Sequence, residues 1–313
     1  MAGAEPAGLA PATRRAREDR LGRAVRFDEP LSRHTSLRVG GPADALARPA
    51  DLAALRALAT ICREQELACG CLGRGFNTLV RDEGASGILV QLADWREIQR
   101  VAANRVRAEA GVTHTSLTRY CLQAELGGLE FGIGIPGTVG GWIAMNAGIP
   151  AIEMKDVVES VEIFEMASGE TRTLRGPELE WSYRELRLPE AALILAATFE
   201  LQPSERDAIA DEMQRHLDKR RGSQPVHEPS CGSVFKNPPE DRAGRLIDAA
   251  GLKGSRAGRA QISEIHANFI VTLEGARASD VLELIARARQ SVSEQFAVEL
   301  ETEVVIRGRD SNA

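Results

Sequence analysis

Cysteine and histidine are scarce in this chain, five of each in 313 residues. Cys62, Cys69, Cys71, Cys121 and Cys231 form an odd, scattered set. That argues against a disulfide framework and for reduced thiols in a cytosol. Cys69-x-Cys71 is too tight for the usual zinc spacing, and no second pair completes a site, so no metal is expected. His34, His114, His216, His227 and His266 stand apart from one another and read as surface or packing residues. A basic excess is also missing. The net charge is −6, which speaks against a nucleic-acid partner. The N-terminal MAGAEPAGLAPATRRAR lacks an apolar core ahead of a cleavage site, so no secretory signal is expected and the expected location is cytoplasmic. No internal repeat is visible.

A membrane span is missing too, although residues 131–152 invite the test. FGIGIPGTVGGWIAMNAGIPAI carries no charge over 22 residues, and about 20 apolar residues can cross a bilayer. Six glycines and two prolines inside it forbid a continuous helix. The run reads as backbone that folds tightly or approaches something closely, because glycine accepts positive φ and has no Cβ. Two readings stay open. It is a buried crossover between domains, or a loop whose bare N–H groups cradle a phosphate-bearing ligand.

What is present is an ordinary globular composition, 43% hydrophobic and 27% charged. The length suits two domains. The expected division is an N-terminal extension over 1–25, disordered or with a short helix over Thr13–Arg26, then one domain over 26–202 and a smaller one over 203–313. Leu37 and Val39 alternate with polar residues and predict a strand before Gly40-Gly41-Pro42. Ala43 to Arg48 predicts the next. Asp51 reads as the N-cap of a helix carrying Leu52, Leu55, Leu58 and Ile61. A strand near residue 71 runs into Gly73-Arg74-Gly75-Phe76-Asn77, and Ile88 to Leu92 predicts another. A dinucleotide fingerprint would need a third glycine at position 78, which is Thr. Strands are predicted over 101–112, 157–164, 171–174 and 193–201, and a helix over 116–126. Helices are predicted from Pro203 to about Arg221 and near 242–250 and 279–296. Two more strands are predicted over 268–273 and 299–307. The fold class is therefore α+β.

Three places hold polar groups suited to chemistry. In Trp181-Ser182-Tyr183-Arg184 an arginine beside aromatics can hold a carboxylate, or it is a surface residue near a packed Trp. HEPSCGSVFKNP, residues 227–238, places Ser233, Lys236 and Asn237 on a turn bracketed by prolines; it is not a nucleophile elbow. In the last predicted strand Glu299, Glu301 and Glu303 would share one face. A solvated edge is the preferred reading for the first two, and spacing alone does not single out Glu303.

Taken together, HTSLRVGGPA, LGRGFNTLV, GLEFGIGIPGTVGGWIAMNAG, SYRE, QPVHEPSCGSVFKNP, AGRLIDAAGLKG, AQISEIHANFIV and LETEVVIRG resemble the UDP-N-acetylenolpyruvoylglucosamine reductase family over roughly residues 30–308. The resemblance implies an FAD-binding domain of the vanillyl-alcohol-oxidase type and a smaller C-terminal α/β substrate domain. It implies a shorter subtype without an extra substrate loop. It implies an oxidoreductase of peptidoglycan synthesis, with non-covalent FAD and with NADPH as hydride donor. The substrate would be a UDP-sugar, its enolpyruvyl double bond reduced to give UDP-N-acetylmuramate. The state expected is a monomer or weak oligomer. Catalytic roles fall on Arg184 and Glu303, at the substrate carboxylate, and on Ser233, as proton donor. FAD contacts fall on Gly73, Arg74, Gly75, Phe76, Asn77 and Thr78. They fall also on Gly134, Ile135, Pro136, Gly137, Thr138, Gly140, Gly141 and Asn146. Tyr183, Lys236 and Asn237 fall to the UDP-sugar. Three departures stand out: Phe76 and Leu186 where the family commonly has Ser, and Ile-Pro-Ala-Ile after Gly148. An oxidase of the same superfamily and a non-catalytic flavin-binding paralogue are the alternatives.

Overall fold

The computed structural model describes residues 24–310. The described chain divides into two units. One holds the residues up to Phe27, Asp44–Arg74 and Gly87–Asp218; the other holds Asp28–Ala43, Gly75–Ser86 and the residues from Lys219 onward.

In the first unit Asp51 caps the helix Leu52–Glu64, its carboxylate accepting the Ala54 amide at 2.8 Å. Leu55, Leu58 and Ile61, each three residues from the next, put one face into the core with Ala59 and Cys62. The strand Cys69–Cys71 pairs in parallel with Ile88–Val90. The main sheet is antiparallel, in the order Glu170–Arg175, Val158–Glu165, Ala192–Glu200, Arg105–Glu109, Ile98–Ala102. A register shift at Glu162/Ile163 breaks the alternation expected over 157–164. As a result Ile163 and Phe164 are both fully buried, because such an irregularity resets which face each side chain takes.

The glycine-rich run forms a 3-10 turn over Glu130–Gly132, a loop, and a six-residue helix, Val139–Ala144. That helix was not legible, since Gly140-Gly141 lies inside it. Burial of Val139, Trp142 and Ile143 outweighs the poor propensity. Among the described residues no helix is long and apolar enough to cross a membrane.

The second unit has its own core, which includes Leu37, Val39, Leu79, Phe235, Leu246, Val281 and Leu284. Thr78–Val80 pairs in parallel with Val305–Arg307. Arg256–Ala257, Ala260–Ile262 and Ile270–Thr272 form an antiparallel sheet. The helices are Ala243–Ala249 and Ala278–Phe296. Asp82 receives the first amides of the longer one, Ala278 at 2.8 Å and Ser279 at 3.0 Å.

Several expectations are corrected. Residues 34–39 form no strand; a 3-10 turn over Leu31–Arg33 leads into a loop that buries Leu37 and Val39 as core pegs. Of the strand expected over 299–307, only Val305–Arg307 forms, because 301–303 is spent on separate backbone bonds to 234–236. The helix expected over Thr13–Arg26 lies mostly outside the described residues, and Val25 and Arg26 begin the strand Val25–Pro30. The two compact units change over at 218/219, and 28–43 and 75–86 group with the C-terminal one. Leu37, Val39 and Leu79 are buried in that unit's core, which no local change of composition reveals.

Candidate functional site

Arg184 is the second residue of a two-residue turn between the antiparallel strands Glu180–Ser182 and Glu185–Arg187. Its φ is +61°, a left-handed conformation that costs an L-residue about 1–2 kcal/mol. Nη1 donates to Glu153 Oε1 at 3.2 Å and Nη2 to the Gly148 carbonyl at 3.3 Å. The guanidinium also lies 4.9 Å from the centre of the exposed Tyr183 ring. A strained, anchored arginine beside an exposed tyrosine is suited to receiving a carboxylate.

Asn146 is corrected from a cofactor contact to an internal strut. It is fully buried. Its Nδ2 donates to Glu153 Oε2 and to the Ser182 carbonyl, each at 3.0 Å, and its Oδ1 accepts the Lys155 amide at 3.0 Å. Both donors and the acceptor are thereby committed within the protein.

The glycine run divides its amides between two duties. Ile135, Val139 and Gly140 donate to the carbonyls of Gly132, Val112 and Ala110. Those three amides are spent within the protein. Gly140 faces the protein, where a Cβ would lie 3.0 Å from that of Ala110. Gly141 does the opposite: it is half-buried, yet a Cβ there would meet no protein atom within 4 Å. Bare backbone turned to open space fits a flat or phosphate-bearing group at close approach, so the residues present fit FAD. Gly73 is likewise open, and its carbonyl accepts from Gln91 Nε2 at 2.9 Å.

In the second unit the loop Gly75–Thr78 is fixed by the HTSLRVGG segment. Ser36 donates to the Gly75 carbonyl from both its amide and its hydroxyl, each at 3.1 Å. Gly75 has φ +64°, and a Cβ would sit 2.2 Å from the His34 carbonyl oxygen, so only glycine fits. Phe76 is half-buried. The Asn77 side chain donates to the Glu303 carbonyl at 3.0 Å, and the Asn77 carbonyl accepts the Val305 amide at 3.1 Å. Both bonds tie the loop to residues 303–305.

Ser233 and Glu303 are brought together through Val234, whose carbonyl accepts the Glu303 amide at 2.8 Å. Both side chains are half-buried. Burial, with the Glu303 charge adding to it, pushes the Cys231 thiol up to about 12, so this thiol stays protonated. Lys236 pairs with Glu301 at 2.6 Å, and the exposed Asn237 accepts the Ala243 amide at 3.1 Å through Oδ1.

Two residues escaped the sequence reading. Glu153 lies 31 positions before Arg184; the only hint is Gly148 and Glu153 flanking a Pro-Ala turn. Asn268, 3% exposed, accepts the Phe235 amide at 2.9 Å and donates to the Phe235 carbonyl at 2.8 Å. Its own carbonyl accepts the Val234 amide at 2.8 Å, so it grips the backbone just after Ser233 like a neighbouring strand. Among the described residues no cluster of three or more His, Cys, Asp or Glu suits a metal, and none of the five cysteines forms a disulfide.

Two family models match the chain. A family model of the FAD-binding domain matches residues 43–175. The model for the C-terminal domain of UDP-N-acetylenolpyruvoylglucosamine reductase matches residues 224–307. The UDP-N-acetylenolpyruvoylglucosamine reductase of Moorella thermoacetica is 43% identical over 284 residues, covering 91% of this chain and 93% of that protein. That of Syntrophus aciditrophicus is 44% identical over 291 residues, covering 92% and 93%. The crystal structure of the Thermus caldophilus reductase aligns with a TM-score of 0.77 at 36% identity, over 90% of this chain and 98% of that one.

Proposed function

The chain belongs to the UDP-N-acetylenolpyruvoylglucosamine reductase family, and from that premise we infer that it reduces the enolpyruvyl group of UDP-N-acetylglucosamine enolpyruvate to give UDP-N-acetylmuramate for peptidoglycan synthesis. The observation that carries this reading is the match along nine-tenths of the chain, through both the FAD-binding and the C-terminal parts. We place the activity in the cytoplasm and read the chain as the shorter subtype.

FAD, when bound, supplies a two-electron carrier between NADPH and the alkene. The open backbone at Gly73 and Gly141 supports those segments as its seat. Hydride arrives at the terminal alkene carbon, so negative charge grows on the carbon beside the substrate carboxylate. Arg184 holds that carboxylate and stabilises the charge, because preorganised donors are worth most where charge develops. Glu303 serves the same carboxylate, and a proton held between the two carboxyl groups removes their repulsion. Ser233 delivers its hydroxyl proton to the carbon that has become basic. Lys236 exchanges Glu301 for the diphosphate. Tyr183 flanks the sugar nucleotide, and Asn237 keeps its amide donors for it while its oxygen caps Ala243.

Ser233→Ala tests the assignment. Flavin reduction by NADPH is expected within twofold of the unsubstituted enzyme, while reoxidation by the enolpyruvyl sugar slows by about 100-fold or more. Equal slowing of both halves overturns the proton-donor role.

A further inference from the structure

We propose that Glu153 is the positioning residue for Arg184, supported from below by the buried Asn146. This rests on the reading of Arg184 as the holder of the substrate carboxylate. The carboxylate of Glu153 is shared three ways. Oε1 accepts Arg184 Nη1 at 3.2 Å, and Oε2 takes Asn146 Nδ2 at 3.0 Å and Lys155 Nζ at 3.2 Å. The side chains of Arg184 and Glu153 are each only 16% exposed, so this is not one of the solvent-screened surface pairs that contribute little.

Two of the eight described non-glycine residues with positive φ lie at the same place. Asn146 has φ +38° and Arg184 φ +61°, and their elements are joined by the bond from Asn146 Nδ2 to the Ser182 carbonyl. Two non-glycine residues in left-handed conformation persist only where surrounding contacts over-determine them. The fold supplies those contacts with a small hairpin, Gly148–Ile149 against Ile152–Glu153. Its Gly148 carbonyl takes Arg184 Nη2, and its Glu153 takes Nη1. A Cβ on Gly148 would lie 2.6 Å from Glu153 Cα, so glycine is what lets both anchors stand side by side. A guanidinium fixed at both nitrogens meets an incoming carboxylate in one orientation, and misplacement of such a group by about 1 Å can cost about 100-fold in rate.

The test uses the FAD-loaded enzyme carrying Glu153→Ala, Glu153→Gln, Arg184→Ala or Glu153→Ala with Arg184→Ala. Three quantities are read: kcat/KM for the enolpyruvyl sugar, affinity for UDP-N-acetylmuramate by calorimetry, and the rate of flavin reduction by NADPH. Glu153→Ala is expected to lower kcat/KM by about 100-fold and to weaken product binding about tenfold, with flavin content and reduction rate unchanged. Glu153→Gln recovers part of both losses, because its amide oxygen still accepts the Arg184 N–H. On the Arg184→Ala background, Glu153→Ala adds less than about threefold. Full additivity overturns the proposal, as does equal slowing of flavin reduction. If Arg184→Ala alone changes neither kcat/KM nor product affinity, the assignment of Arg184 falls and this proposal with it. That single variant therefore tells the two failures apart.

Discussion

Replacing Asn268 by alanine removes two hydrogen bonds from a place water does not reach. The side chain is 3% exposed and bonds both the amide and the carbonyl of Phe235, at 2.9 and 2.8 Å. A buried backbone group left unpartnered costs about 1–3 kcal/mol, so the pair costs about 2–6 kcal/mol. Against a total stability of about 5–15 kcal/mol that is a large local loss. Hydrogen exchange followed by mass spectrometry is the assay, with residues 231–238 as the reporting segment and the strand Val158–Glu165 as the reference. A loss of about 2 kcal/mol corresponds to roughly 30-fold faster exchange at Val234 and Phe235, with the reference strand unchanged. Asn268→Asp adds a sign. The ionised carboxylate would oppose the Phe235 carbonyl, whereas the protonated form can donate to it, so the folded pKa of the new group is raised. The variant is then closest to the parent below the unfolded value of about pH 4 and loses stability as pH rises through the folded pKa. Exchange at 234 and 235 within threefold of the parent in the alanine variant would refute the reasoning.

Other substitutions separate structural glycines from ligand-facing ones. Gly75→Ala drives a methyl into the His34 carbonyl and forces a left-handed alanine; thermal unfolding of the apoprotein is expected to show a loss of more than about 2 kcal/mol. Gly141→Ala should do the reverse without FAD, gaining up to about 1 kcal/mol as a helical alanine with open space before it, while FAD retained through gel filtration falls. Asp82→Asn tests the cap of Ala278–Phe296. Burial alone would raise the Asp82 carboxyl, but the amides of Ala278 and Ser279 outweigh it and hold it below its ordinary value. The variant should be less stable by about 0.5–2 kcal/mol at neutral pH, and urea titrations should show that difference vanishing as pH falls through the lowered folded pKa of the parent.

Local signals were readable where local physics decides. Asp51 ahead of Leu52, Leu55, Leu58 and Ile61 marked a capped helix, and it is one. Alternating apolar residues marked the strand that became Val158–Glu165, and the further strand expected over 193–201 is Ala192–Glu200. Leu37 and Val39 carried the same signal without a strand, because a loop can bury two alternate side chains as well as a strand can. At the site, the residues themselves offered Arg184 and Ser233 as polar candidates, and only the resemblance gave Ser233 its role and singled out Glu303. The partners that fix them, Glu153 through a side-chain pair and Asn268 through the backbone of Phe235, are set by tertiary contact and leave no periodicity to read. The two adjacent glycines 140 and 141 look alike in sequence, and only the fold shows that one meets Ala110 and the other meets nothing.

Under the proposed function, electrons pass from NADPH through FAD to an enolpyruvyl sugar nucleotide. An anaerobic absorption titration of the purified protein tests it most directly. The account predicts a yellow protein whose flavin band is bleached by NADPH and restored on adding UDP-N-acetylglucosamine enolpyruvate. A protein that stays colourless when FAD is supplied would contradict it, as would a reduced flavin that the sugar nucleotide leaves bleached and only oxygen restores.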